Sequence, residues 1–114
     1  MKLDNYYGNM LVSTGTMREE DLIPEFMRFL AGVKGEKITS FIPEDLSPET
    51  QAAIICWLFG VEVEPHTDNT REELSSFLNE DLFDRFSEIA PEGYYFGSHP
   101  GDGAAYGFWR IEEV

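Results

Sequence analysis

Tyr94-Tyr95-Phe96-Gly97-Ser98-His99-Pro100-Gly101-Asp102-Gly103-Ala104-Ala105-Tyr106-Gly107-Phe108-Trp109-Arg110-Ile111 is the stretch that decides the fold class. Two aromatic runs flank the Gly- and Pro-rich segment Ser98–Gly103, and that arrangement predicts an antiparallel hairpin closed by a loop. Alternation sets Tyr94 and Phe96 on one face, Tyr106 and Phe108 on one face, and Trp109 and Ile111 opposite. Six aromatics cannot all reach one small core. They either cover neighbouring helices or stay partly exposed as interface anchors.

Upstream of Pro91-Glu92-Gly93 the period changes from two to that of a helix. Leu74, Phe77, Leu78, Leu82, Phe86 and Ile89 keep helical phase over 71–90, with Thr70 as cap, or with a break at Asn79 that makes two shorter helices. Ser47-Pro48-Glu49 reads as N-cap, first helical residue and acidic first turn of a helix over 48–59, ended by Gly60. Ala52 to Phe59 is apolar nearly all round, which predicts burial on every face and a central position. Leu22, Phe26, Phe29, Leu30 and Val33 form one stripe of an earlier helix. It starts from a Thr16/Glu19 capping box or from Asp21, the option Pro24 favours, and ends at Gly32 or Gly35. Met10–Thr14, Ile38–Phe41 and the alternating Val61–Glu64 read as short strands, the last at a sheet edge. The expected fold is α+β: three or four helices packed on a small antiparallel sheet with a C-terminal β-hairpin, in one domain over 1–114.

With 42% hydrophobic residues in 114, the chain can build a real core, so wholesale disorder is not expected. Charge is the outlier. Twenty-two acids against 8 bases give −14, which excludes a basic footprint for nucleic acid or for an anionic membrane. One cysteine, Cys56, excludes an internal disulfide and a thiol-rich zinc site, and reads as a small core residue. The longest apolar run is eight residues, far short of the ~20 that span a bilayer. The N-terminal residues carry no signal-peptide core, so a cytoplasmic location is expected.

Two places could carry function. In the hairpin loop, His99 with Asp102 could serve as a base or a ligand site, with glycines allowing close approach. A turn accounts for the same residues, because Pro and Gly fix the backbone and Asp bonds its own amides. Catalysis also needs a nucleophile that the sequence does not place. His66 and Asp68 with His99 and Asp102 could make four metal ligands, but nothing brings the pairs together, so neither a metal nor another cofactor is expected.

The second place is the acid distribution. Residues 62–92 hold ten acids and two bases, Arg71 and Arg85, a net of −8. Glu80, Asp84 and Glu88 stack at four-residue spacing, about 6 Å apart by helical rise, with Asp81 and Arg85 spaced to relieve them. Glu72 and Glu73 extend this face toward the start of the helix. Such a face either maintains solubility or imitates a phosphate backbone and enters a basic groove.

Ser13-Thr14-Gly15-Thr16-Met17-Arg18-Glu19-Glu20-Asp21-Leu22-Ile23-Pro24 and the tract Tyr95–Trp109 resemble a group of small acidic proteins of unknown function from bacterial genomes, phages and mobile elements. The resemblance covers about a quarter of the chain, implies a bacterial or phage origin and carries no catalytic residue. The functional expectation is therefore a non-enzymatic protein-binding module, in its sharper form a nucleic-acid mimic, whose partner is a protein with a basic groove. It binds neither nucleic acid directly nor a membrane. The alternative is a small enzyme or ligand-binding protein that uses the His99–Asp102 loop. Oligomeric state is left open.

Overall fold

A computed structural model describes residues 2–65 and 67–111. Strands β1 (Leu11–Ser13), β2 (Tyr94–His99) and β3 (Asp102–Arg110) form one antiparallel sheet in the order β1-β3-β2. The hairpin register runs from Tyr94 opposite Arg110 to Ser98 opposite Tyr106, then slips so that His99 faces Asp102. The strands absorb most of the expected loop, and only Pro100 and Gly101 separate them. Helix α1 spans Glu19–Lys34 and α2 spans Pro48–Leu58. The third helix, α3, is α-helical over Asp68–Ser76, π-helical over Phe77–Leu82 and α-helical again over Phe83–Ile89.

The π segment has a packing rationale. Leu74, Leu78, Leu82 and Phe86 repeat every four residues, and in a 3.6-residue helix each such step drifts by about 40°. A wider turn removes part of that drift, and all four side chains end up buried. The inner face of the sheet supplies Phe96 and Phe108 to the same core. Phe86 stacks on Phe96 with centroids 4.1 Å apart, and Phe26 of α1 meets Phe96 edge-on at 5.3 Å. β1 is tied to α1 by the buried Ser13 hydroxyl, which donates to Glu25.

Several expectations need correction. Helix α2 is not central. It buries Thr50, Ala53, Ile54 and Trp57, yet Phe59 is 81% exposed, and Ala52 and Ile55 also face outward. Its ends are as read: Ser47 accepts from the Thr50 amide, and Gly60 sits at φ 79° with Val61 N–H bonded back to Cys56. Ile38–Phe41 is a 3-10 turn rather than a strand, because its amides close locally while Phe41 anchors it in the core. Residues 61–64 form no regular element and belong to no sheet, since the three strands assemble elsewhere. Helix α1 starts at Glu19 with Arg18 as its N-cap, between the two expected caps Thr16 and Asp21, leaving Pro24 in its second turn. Arg18 holds that start through Asp21, whose carboxylate also accepts from Thr16. Helix α3 likewise starts one residue after Thr67, its actual cap, and Thr70 is buried. Gly35 ends α1 at φ 66°.

Candidate functional site

Five of the seven acids of α3 fall into three groups. Glu73 is half-buried and committed to internal contacts. Its carboxylate accepts from the Ser47 amide at 3.1 Å, the Ser47 hydroxyl at 2.7 Å and the Thr50 hydroxyl at 2.8 Å. These bonds, with the Ser47 hydroxyl first, hold the Glu73 carboxyl below the usual carboxylate range. The group also places a negative charge at the N-terminus of α2, where the helix dipole favours it. Glu73 is thus a clamp between α3 and α2. Sequence could have hinted at it only through Ser47 and Thr50, whose hydroxyls need acceptors.

Glu80 forms the second group. The Ser76 hydroxyl donates to it at 2.8 Å and draws it back toward the preceding turn.

Asp81, Asp84 and Glu88 form the third, lining a shallow hollow of about 390 Å³ with Arg85. Asp81 thus takes the place expected of Glu80. Partial desolvation pushes the Asp81 carboxyl upward, and Asp45, Glu80 and Asp84 push it further, while Arg85 opposes them. The attraction to Arg85 is not a contact pair: among the described residues, no base lies within 4 Å of these three carboxylates. Arg85 instead lays its guanidinium over the Phe41 ring, 5.1 Å from the centroid. Glu72 is exposed on α3, outside the hollow.

The hairpin turn separates its two candidate residues. Asp102 accepts from the Ala104 amide at 3.1 Å, as a turn aspartate does. His99 accepts the Gly101 amide on Nδ1 at 2.9 Å and packs edge-on against Trp109, with centroids 4.6 Å apart. No His99–Asp102 side-chain hydrogen bond forms among the described residues, so the pair is not assembled as a dyad. His66 lies outside the described residues. Among those described, no cluster of three His, Cys, Asp or Glu side chains is arranged to hold a metal ion. None of the described helices is long and apolar enough to cross a membrane. Comparison of the chain with protein-family models, with curated proteins and with solved structures gives no match.

Proposed function

We propose that this protein is a non-enzymatic, acidic protein-binding module whose partner presents a basic groove, with the acidic face standing in for a phosphate backbone. The observation that supports this most is the hollow of Asp81, Asp84 and Glu88. Three carboxylates line it with no contact base among the described residues, so a partner's Lys or Arg can engage them without first breaking an ion pair. The net charge of −14 adds a long-range field that speeds encounter with a basic surface. The contacts of His99 and Asp102 favour the same reading, because both are used by the turn itself. The resemblance to small acidic phage and bacterial proteins suggests a bacterial lysate as the source of the partner.

The test is a pull-down from such a lysate with the parent and with Asp81→Asn/Asp84→Asn/Glu88→Gln, at about 0.1 M and about 1 M salt. The Debye length shrinks from about 10 Å to about 3 Å over that range. A partner should be held by the parent at low salt, released at high salt, and held poorly by the triple variant. Equal retention by parent and variant at every salt concentration rejects the role of this face.

A further inference from the structure

The helices cover only the inner face of the sheet, where Phe96 and Phe108 lie. On the outer face Tyr95 stands opposite Trp109, and next to them Gly97 stands opposite Gly107. The glycine pair leaves bare backbone, and the Trp109 indole occupies it. Its Nε1–H donates to the Gly97 carbonyl at 2.8 Å, and a Cβ at position 107 would come within 3.1 Å of Trp109 Cζ2. The indole is held flat and half-buried. His99 stands at 85° to it, and Tyr95 is 37% exposed beside it. Together with Asn9, Pro100 and Arg110 these three line a slot of about 360 Å³.

The lining is chemically unusual for this chain. Among the described residues, no acid lines the slot. Arg110 offers donors only, and His99 has its Nδ1 taken by the Gly101 amide so that Nε2 carries the proton of the neutral ring, whereas the Asn9 side chain and the Tyr95 hydroxyl can donate or accept. Aromatic walls with donors suit a ligand that offers flat apolar rings and acceptors. Proline residues match this description, since each has a ring and a carbonyl but no N–H that must be satisfied. A polyproline II segment also arrives already extended, so little entropy is lost on docking against aromatic side chains. A sugar brings many hydroxyls that each need an acceptor as well as a donor, and of the lining side chains only Asn9 and Tyr95 offer acceptors. A nucleotide brings phosphate into the field of a −14 chain.

We propose that Trp109, His99 and Tyr95 form a docking slot for a proline-rich peptide segment on the outer face of the hairpin. The slot shares no lining residue with the acidic hollow and does not depend on it. The probe is a capped hexaproline titrated into ¹⁵N-labelled protein in about 0.5 M NaCl, where charge-driven binding is largely screened. The indole N–H signal of Trp109 should shift saturably, while that of Trp57, only 6% exposed in the core, stays in place. Tyr95→Ala and His99→Ala should each weaken binding about tenfold, the scale of one lost aromatic contact, with the remaining spectrum unchanged. Should either variant unfold, the titration of the parent decides alone. The proposal is overturned by an immobile Trp109 signal at millimolar peptide, by equal shifts with a Gly-Ser hexapeptide, or by shifts with adenosine monophosphate or a glucose oligosaccharide but not with hexaproline.

Discussion

Ile54→Ala within the apolar helix α2 and Phe59→Ala at its C-cap, two truncations five residues apart, should differ several-fold in cost. Ile54 is fully buried, whereas Phe59 is 81% exposed. Truncating Ile54 removes three carbon atoms, about 2.4 kcal/mol at 0.8 per methylene, and the cavity adds to that unless neighbours collapse into it. The expected loss is therefore roughly 2.5–4 kcal/mol, a large part of what a domain of this size possesses. Only about a fifth of Phe59 is covered. At ~25 cal/mol per Å² of a ~200 Å² side chain, its truncation forfeits about 1 kcal/mol or less. Urea unfolding followed by far-UV circular dichroism separates the two cases. With a slope near 1.5 kcal/mol/M, the midpoint should fall by about 2 M for Ile54→Ala and by no more than about 0.7 M for Phe59→Ala. Equal losses above about 2 kcal/mol would mean that α2 is covered on both faces and would refute its one-sided packing.

Glu73→Gln tests the clamp. The folded Glu73 carboxyl is held below its ordinary value, so its stabilisation is complete above the ordinary carboxylate range and is lost as pH falls through the depressed value. The variant should melt below the parent at pH 7, and the gap should close on acidification; a gap constant from pH 7 to 3 refutes the ionic contribution. Gly107→Ala should cost about 1–3 kcal/mol, because its Cβ meets the Met10 carbonyl and the Leu11 backbone of β1. Amide exchange at Asn9 and Phe108, which bond across that junction, should accelerate, whereas Gly103→Ala, with open space around it, should change neither. Asp81→Asn/Asp84→Asn/Glu88→Gln should raise Tm by a few degrees at pH 7, at a few tenths of a kcal/mol per like-charge pair removed. The sign follows from Asp81, whose raised carboxyl penalises the ionised folded state, so the gain should fade as pH falls below the carboxylate range.

Features governed by neighbours within a few positions were legible in the sequence. Strand alternation put Tyr94 with Phe96, Tyr106 with Phe108 and Trp109 opposite, and the hairpin keeps each alternation while its register brings Phe96 beside Phe108. Ser47 and Gly60 bound α2 as their local bonding rules require. What failed depended on which elements come to lie side by side. An all-apolar helix reads as central, but only the placement of α1 and α3 determines that Ile54 is covered and Phe59 is not. Ile38–Phe41 and residues 61–64 have strand-like composition, yet a strand needs a partner with free amides and carbonyls, and β1 and β3 pair elsewhere. Glu73 looked like one more surface acid because its donors lie 26 and 23 positions away. The slot at Trp109 joins residues from both ends of the chain, Asn9 and the hairpin. Local backbone preferences are written into short stretches of sequence, whereas the covering of a face and the partner of a charge are set by distance in space, which only the folded chain defines.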